Sequence, residues 1–128
     1  MKSIEVVAAV IIADNKVFTT QRGYGDYKDY WEFPGGKIEA GETPQQALER
    51  EIREELNTVI DVGEFIGTTD YEYPVAHVTL HFYACSVLSG ELQLLEHEDA
   101  RWLGKHELDS VNWLPADEEI IPQIHALL

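Results

Sequence analysis

The order of apolar and polar positions predicts that the chain begins with extended structure. Val6 to Ile12 is apolar and β-branched, Asp14-Asn15 is a turn signal, and Lys16 to Gln21 continues as a second extended segment. We therefore expect a β-hairpin here. The Tyr-, Gly- and Asp-rich segment Gly23 to Tyr30 is interpreted as a loop, and a short strand is expected next at Trp31-Glu32-Phe33.

A helix is predicted from Pro44 to Leu56. Thr43 supplies an N-cap hydroxyl, Pro44 suits the first helical position, and Gln46 follows the cap by three residues. The apolar residues of this segment recur every four positions and form one stripe: Leu48, Ile52 and Leu56. Asn57 tolerates the left-handed conformation and can end the helix.

The second half of the chain predicts further strands and a closing helix. Val62 to Tyr71 and Val75 to Leu88 have the patterns of two longer strands, and Ala100 to Leu103 that of a short one. The closing helix follows Leu114-Pro115, with Pro122 tolerated near its start. Its apolar stripe contains Ile120, Ile121, Ile124 and Leu127 or Leu128. This order of elements predicts an α/β (α+β) protein with helices packed on a mixed sheet.

Composition limits the classes of partner. The 128 residues suit one domain, 1–128, and the balance of 9 Lys plus Arg against 24 Asp plus Glu gives a net charge of −15 that repels nucleic-acid polymers. The longest apolar run, Val6 to Ala13, is too short to span a bilayer, and the first residues lack the regions of a signal peptide. A cytoplasmic protein without a membrane partner is expected.

The stretch EREIREELN, residues 49–57, concentrates carboxylates on one helix face. Glu51 lies beside both Glu54 and Glu55, because residues three and four apart share a face. At about 6 Å and an effective dielectric of about 20, each such pair repels by roughly 3 kcal/mol. A solvated surface neutralised by Arg50 and Arg53 is one interpretation. The carboxylates flank the apolar stripe, however, which favours a partly enclosed groove where bound Mg²⁺ or Mn²⁺ relieves the repulsion.

The spacing of these residues resembles the signature of the Nudix hydrolases. Five residues separate Gly36 from Glu42, and seven more precede Arg50-Glu51-Ile52-Arg53-Glu54-Glu55. The stretch Trp31 through Pro44 looks in particular like the MutT-type nucleoside triphosphate pyrophosphohydrolases, and the resemblance extends over nearly the whole chain. The family pattern has a glycine and a bulky apolar residue where this sequence has Asn57-Thr58.

The resemblance implies an α/β/α sandwich with a central mixed sheet and a loop-helix-loop signature. It also implies Mg²⁺-dependent hydrolysis, with Mn²⁺ as a substitute, of a nucleoside triphosphate to monophosphate and pyrophosphate. The metal ligands it implies are Glu51, Glu54, Glu55, Glu96 and the backbone carbonyl of Gly35. The implied catalytic residues are Glu54, Glu51, Arg50 and Glu96, while Gly36 and Glu42 are structural. Glu98 is the competing candidate for the role of Glu96 as additional ligand or base. For both residues the alternative is a solvated acid in a loop.

Three further residues are candidates for binding the substrate. Arg22 matches a basic residue that meets phosphates in similar proteins, although a charged strand end is an equal alternative. Phe33 either lines the base pocket or packs in the core. Asp117 falls where MutT-like proteins place a base-reading side chain. An ionised Asp only accepts hydrogen bonds, which favours the amino group of cytosine in CTP, dCTP or their 5-substituted forms.

Several alternatives stay open at this point. A protonated Asp117 would also suit oxidised guanine, as in an 8-oxo-dGTP diphosphatase, and a helix-capping role is compatible with its position. A catalytically idle nucleotide sensor is a second function class, and the chain could be a monomer or a homodimer. Among the other side chains, we expect His97 to be an exposed loop residue, His77 and His81 to be exposed or on a pocket wall, and Cys85 to be a buried thiol.

Overall fold

A computed structural model describes residues 2–128 of the chain. The strands are β1 (Lys2–Ala13), β2 (Lys16–Arg22), β3 (Trp31–Glu32), β4 (Gly35–Lys37), β5 (Thr58–Tyr73), β6 (Ala76–Gly90) and β7 (His97–Gly104). The helices are α1 (Pro44–Leu56), α2 (Pro115–Glu118) and α3 (Ile121–Leu127), and a 3-10 turn lies at Lys105–Glu107.

Strand β1 is the centre of the sheet. The order is β3-β2-β1-β6-β5, with β4 added on β1 and β7 on β2. The predicted hairpin is confirmed at its tip, where Asp14 and Asn15 have φ of 51° and 60° and Ile12 pairs with Val17. Further back, β1 leaves β2 and runs parallel to β6, while β4 and β5 pair antiparallel with β1 and β6. The predicted mixed sheet is confirmed.

Two separate hydrophobic clusters cover the two faces of β1, because successive residues of a strand point to opposite sides. Val7, Ala9 and Ile11 pack with the buried stripe of α1, which comprises Ala47, Leu48, Ile52 and Leu56. Ala8 and Val10 pack with Phe82 and with the residues of α2 and α3, including Ala116 and Ile124. The sheet therefore lies between α1 and the α2–α3 pair, as expected for an α/β/α sandwich.

Helix α1 has the predicted bounds, Pro44–Leu56. The Thr43 hydroxyl accepts a hydrogen bond from the Gln46 N–H at 3.1 Å, and the Gln46 side chain accepts one from the Thr43 N–H at 2.9 Å, which completes the capping box. Asn57 ends the helix with φ 50° and ψ 43°, and its N–H donates to the Arg53 carbonyl. The left-handed cap is therefore confirmed with asparagine in place of glycine.

The closing helix is shorter than predicted. It is divided into α2 and α3, because Pro122 has no N–H to continue a helix from α2 and instead occupies the first turn of α3. The two long strands also extend past their predicted ends, to Thr58–Tyr73 and Ala76–Gly90. Within residues 2–128, no helix has the length and apolar character needed to cross a membrane.

Candidate active site

Two adjacent glycines allow β4 to pair with β1 and to pack against α1. Gly35 pairs with Ala8 on β1, and a Cβ at this position would collide with the Val7 carbonyl. A Cβ on Gly36 would collide with the carboxylate of Glu51. Glycine therefore leaves the space into which this carboxylate fits, and it brings the β4 backbone to the wall of the same cavity.

Arg50 is the centre of an ion-pair network on α1. Its Nη1 donates to Glu51 Oε1 at 2.8 Å and to Glu54 Oε1 at 3.0 Å. Its Nε and Nη2 donate to the two carboxylate oxygens of Glu42 at 2.7 and 3.0 Å, and Nη2 also donates to the Lys37 carbonyl at 3.0 Å. One guanidinium thus fixes the loop after β4 and two α1 glutamates, Glu51 and Glu54.

Glu42 holds the loop from the other side. Besides binding Arg50, its Oε1 accepts a hydrogen bond from the Glu39 N–H at 3.0 Å. The hydrogen bonds from Arg50, and then the one from Glu39, lower the pKa of Glu42 to about 2. The carboxylate is therefore ionised at any pH at which the protein would work, as a loop brace requires.

Glu55 is the buried member of the α1 cluster. Its side chain is 12% exposed, whereas that of Glu54 is 54% exposed. Glu55 Oε2 is buried and has no hydrogen-bond partner among the described residues. Burial, followed by the nearby Glu51, raises the pKa of Glu55 to about 9. A buried carboxylate oxygen without a partner, beside other carboxylates, is the type of ligand atom that a divalent cation would satisfy.

The segment that follows β6 packs against the end of α1. The Gln93 N–H donates to the Leu56 carbonyl at 3.0 Å, and the Leu95 N–H donates to the Glu55 carbonyl at 3.2 Å, so two carbonyls at the end of the helix are satisfied. The Asn57 side chain adds a 2.8 Å hydrogen bond to the Gln93 side chain. These contacts fix the chain immediately before Glu96.

The structure separates Glu96 from Glu98. Glu96 lines the same cavity as Glu51, Glu54 and Glu55, and its charge contributes to the raised pKa of Glu55. Glu98 instead lies 3.3 Å from Lys28 Nζ and outside that cavity. The position of Glu96 is therefore the one compatible with a cation ligand or a base.

This acidic cavity measures about 610 Å³ and adjoins a second, more apolar cavity of about 340 Å³. The second cavity has Val6, Tyr73 and Leu80 on its walls and also contains Asp117. Both cavities share the side chains of Arg22, Glu32 and Lys37. An elongated ligand could therefore place an apolar group in one cavity and an anionic group in the other.

Arg22 ends β2 at the junction of the two cavities. Its Nη2 donates to Glu32 Oε1 at 2.9 Å, and its Nη1 donates to the Asp26 carbonyl at 3.2 Å. The side chain is 36% exposed, so the Arg22 guanidinium is oriented by Glu32 and is still open to a ligand.

Asp117 is a buried residue of α2. Its Oδ2 accepts a hydrogen bond from the Phe33 N–H at 3.0 Å, and the Asp117 residue is 3% exposed. Burial and then the charge of Glu32 raise the pKa of this carboxyl well above its usual range. The helix-capping alternative is wrong, because the N-cap position of α2 is occupied by Leu114 and has no side-chain cap.

The Phe33 side chain packs in the core. It is 3% exposed and stacks on Trp113 with ring centroids 4.9 Å apart. Phe33 lines neither cavity, so this arrangement gives no support to its expected place on the wall of a base pocket. Its contribution to the site is the backbone N–H that holds Asp117.

The comparisons with known proteins agree with this geometry. The NUDIX domain family model matches residues 3–124. The chain belongs to the Nudix hydrolase family. It is 38% identical over 128 residues to the CTP pyrophosphohydrolase of Escherichia coli K12, covering 99% of this chain and 95% of that relative. It is 36% identical over 125 residues to the 8-oxo-dGTP diphosphatase of Haemophilus influenzae, covering 96% of this chain and 92% of that relative.

The fold is that of the MutT-like members of the Nudix family. The crystal structure of a MutT NUDIX hydrolase from Burkholderia pseudomallei superposes with a TM-score of 0.87 at 23% identity, covering 96% of this chain and 98% of that one. The central mixed sheet and the few helices correspond to that structure. The sequence resemblance and the enzyme class that it implied are both confirmed.

Nudix hydrolases use divalent metal ions, and the residues of the acidic cavity fit such an ion by donor type. Carboxylate and carbonyl oxygens are the ligands that hard cations prefer, and the partnerless Glu55 Oε2 is one such donor. Within residues 2–128, no three His, Cys, Asp or Glu side chains already converge as a ligand set, and Arg50 holds both Glu51 and Glu54. Assignment of the individual ligands remains a prediction.

Two buried side chains at the site, Glu32 and His97, were not predicted from the sequence. Glu32 is 17% exposed and lies in both cavities, yet the motif around it was interpreted only as a short strand. The His97 side chain is 8% exposed, so the expectation of an exposed loop residue is wrong. His97 begins β7 and packs against Glu32 and Glu55. A charged residue between two apolar aromatics, Trp31 and Phe33, was the available signal for Glu32.

The other two histidines have carboxylate partners on the sheet. His77 Nε2 is 2.9 Å from Asp70 Oδ1, and His81 Nε2 is 2.8 Å from Glu5 Oε1. Their side chains are half-buried, with 32% and 22% exposed. These side chains lie outside both cavities. Cys85 is a buried free thiol, as expected.

Proposed function

We propose that this Nudix hydrolase cleaves nucleoside triphosphates to the monophosphate and pyrophosphate, with Mg²⁺ as the cation and cytosine nucleotides favoured. The observation that carries the proposal is the junction of an acidic cavity and an apolar cavity at Arg22, Glu32 and Lys37. A nucleoside fits the apolar side, and a phosphate chain accompanied by cations fits the acidic side.

The phosphate chain requires positive charge in a chain whose net charge is −15. Arg22 and Lys37 line both cavities and supply two cationic groups at their junction. Arg22 is paired with Glu32, and Arg50 is shared among several carboxylates, so divalent cations would have to accompany the phosphates into the acidic cavity. The small substrate can bring its own cations, which a DNA or RNA polymer on this acidic surface does not.

The residues assigned to the cation are Glu51, Glu54, Glu55, Glu96 and the Gly35 carbonyl. When bound, Mg²⁺ neutralises phosphate oxygens and lowers the pKa of a bound water. Arg50 orients Glu51 and Glu54, and Glu42 keeps Arg50 in place. Glu96 faces the same cavity and is the candidate to accept a proton from the attacking water.

The base preference rests on Asp117. With its pKa raised by burial, this carboxyl is protonated over a wider range of pH and can both donate and accept. Cytosine offers a matching pair of groups, with N3 as acceptor and the N4 amino group as donor. The E. coli relative that is 38% identical is named for CTP, which supports the same choice.

An oxidised guanine nucleotide is the second candidate substrate. The same protonated Asp117 would donate to O6 of 8-oxoguanine and accept from its N7–H. The raised pKa of Asp117 favours this candidate relative to an ionised carboxylate that could only accept. The H. influenzae relative, at 36% identity, is named for 8-oxo-dGTP.

A turnover screen tests the proposal and separates it from an idle sensor. The purified protein is incubated with Mg²⁺ and each common, 5-substituted or oxidised nucleoside triphosphate, and both products are quantified. We expect equal amounts of monophosphate and pyrophosphate, with the highest kcat/KM for CTP, dCTP or a 5-substituted form. Highest kcat/KM for 8-oxo-dGTP would select the second candidate. Nucleotide binding without turnover in Mg²⁺ or Mn²⁺ would overturn the enzymatic function in favour of a sensor.

A further inference from the structure

His97 lies between two buried carboxylates. Its Nε2 is 3.7 Å from Glu32 Oε2 and 3.8 Å from Glu55 Oε2. The three side chains are only 8%, 17% and 12% exposed. The other ring nitrogen, Nδ1, is buried and has no hydrogen-bond partner among the described residues. Nε2 is therefore the ring nitrogen of His97 that faces the two carboxylates.

A β-bulge brings His97 to this place. Along the pairing of β2 with β7, Thr20 faces Ala100 and Gln21 faces Asp99, but Arg22 faces His97 rather than Glu98. The extra residue is Glu98, whose side chain turns away to Lys28. Because paired residues project to the same side of a sheet, the bulge brings the imidazole beside Arg22.

Four side chains at this point form one chain of contacts, which runs from the junction of the two cavities into the acidic cavity. Arg22 is bound by Glu32, Glu32 faces His97, and His97 faces Glu55. Glu32 already has a partner in Arg22, whereas Glu55 Oε2 has no hydrogen-bonded partner. His97 Nε2 faces that oxygen at 3.8 Å, just beyond hydrogen-bond distance, so a small rotation of the Glu55 carboxylate would bring it to the N–H of His97.

We propose that His97 is a positioning residue of the cation site, whose Nε2–H between Glu32 and Glu55 sets the orientation in which Glu55 meets a divalent cation. The inference rests on the proposed function in so far as Glu55 is a cation ligand. Residues that orient metal ligands from behind contribute about 10- to 100-fold in metal affinity. Arg22 keeps its contact with Glu32 without His97, so nucleotide binding is not expected to depend on it.

Three variants test this role. His97→Leu removes the donor at similar volume, and His97→Gln restores an N–H near the position of Nε2. His106→Leu, at an exposed histidine of the 3-10 turn, is the matched control. Mn²⁺ affinity is measured by calorimetry without nucleotide, Tm is measured in EDTA, and kcat and KM are measured with Mg²⁺ and the preferred nucleotide.

We expect His97→Leu to bind Mn²⁺ about 10-fold or more weakly and to lose kcat, while its KM and its Tm in EDTA stay near those of wild type. His97→Gln should recover most of the affinity, and His106→Leu should match wild type. Wild-type Mn²⁺ affinity in His97→Leu would overturn the proposal. So would a folded His97→Gln variant whose affinity is reduced by 10-fold or more.

The design also covers a failure of folding or of the proposed function. If His97→Leu does not fold, His97→Gln decides alone: near-wild-type Mn²⁺ affinity supports the positioning role, and a 10-fold loss overturns it. If no nucleotide is hydrolysed, but Mn²⁺ binds and the binding weakens in His97→Leu, the proposed function fails and the positioning role stands.

Discussion

Arg50 binds Glu42 through two hydrogen bonds, from Nε to Oε2 at 2.7 Å and from Nη2 to Oε1 at 3.0 Å. The same guanidinium holds Glu51 and Glu54 through Nη1. A planar group with five donors can make these contacts together, whereas a lysine ammonium cannot. The loop brace and two of the proposed cation ligands are thus oriented by one side chain.

Arg50→Lys should therefore impair catalysis although it conserves the charge. We expect kcat to fall about 10- to 100-fold, since the supporting contacts of the ligands are lost. Arg53→Lys is the matched control, because Arg53 is exposed on the same helix. Steady-state kinetics of the two variants provide the check. Equal kcat values for Arg50→Lys and Arg53→Lys would mean that the Arg50 hydrogen bonds do not orient the site.

The raised pKa of Glu55 predicts that the stability of the metal-free protein depends on pH. Folding raises its pKa from 4.5 to about 9, so folding favours the protonated form. The stability associated with this group is fully present below about pH 4.5 and is lost as the pH rises through about 9. Relative to Glu55→Gln, wild type in EDTA should lose stability progressively between these limits.

The measurement is Tm for wild type and Glu55→Gln in EDTA at several pH values. For a domain of this size, a change of 1 kcal/mol shifts Tm by roughly 4 °C, so the divergence should be measurable. Addition of Mg²⁺ should stabilise wild type more at high pH than at low pH, because the cation binds the ionised carboxylate. Parallel Tm profiles of the two proteins in EDTA would contradict this view of Glu55.

Asp117→Asn should change the choice of base. The carboxyl can meet the base as an acid or as an acceptor-only carboxylate, whereas the amide keeps one acceptor for the Phe33 N–H and always presents N–H donors. Because an acceptor-only group favours the N4 amino group of cytosine, we expect the ratio of kcat/KM for CTP to that for 8-oxo-dGTP to fall by about 10-fold or more, since a lost paired contact costs about 1–3 kcal/mol. Glu118→Gln, an exposed neighbour on α2, should leave the ratio unchanged. An unaltered ratio in Asp117→Asn would end the base-reading assignment.

Replacement of Asn57 by glycine should be tolerated, whereas replacement by alanine should destabilise the protein. Its φ of 50° is left-handed, a conformation that costs an ordinary side chain roughly 1 kcal/mol and costs glycine little. Asn57→Ala is expected to lower the free energy of unfolding by about 1–2 kcal/mol, because it also loses the hydrogen bond to Gln93. Asn57→Gly should lie closer to wild type. Denaturant unfolding measures both, and a Gly variant as unstable as the Ala variant would contradict the conformational argument.

The sequence predicted the elements whose causes are local. Helix α1 has its predicted bounds because its cap, its first-turn proline and its apolar stripe all lie within the helix or next to it. The break between α2 and α3 was less visible, since the Ile120 and Ile124 stripe continues across it although Pro122 interrupts the hydrogen bonds. The helical spacing of the apolar residues was therefore predicted correctly, but the prediction of one continuous helix was wrong.

Features that depend on distant pairing could not be predicted from the pattern. The apolar, β-branched run of β1 predicted a strand, but not that β6 would be its parallel neighbour. His97 was misplaced because one extra residue in β7 turns its side chain inward, and a bulge leaves no mark in the alternation of apolar residues. The spacing of the α1 glutamates predicted an acidic groove, whereas the unequal exposure of Glu54 and Glu55 emerged only from packing.

The central claim is that the α1 carboxylates hold the divalent cation on which hydrolysis depends. Its most direct test is pyrophosphate release from the preferred nucleotide, measured against Mg²⁺ concentration, for wild type, Glu54→Gln and Glu49→Gln. Glu49 is an exposed glutamate of the same helix and serves as the control. The account predicts that Glu54→Gln loses roughly 100-fold or more in kcat, about 3 kcal/mol, while Glu49→Gln behaves as wild type. Near-wild-type turnover and Mg²⁺ dependence in folded Glu54→Gln would contradict it.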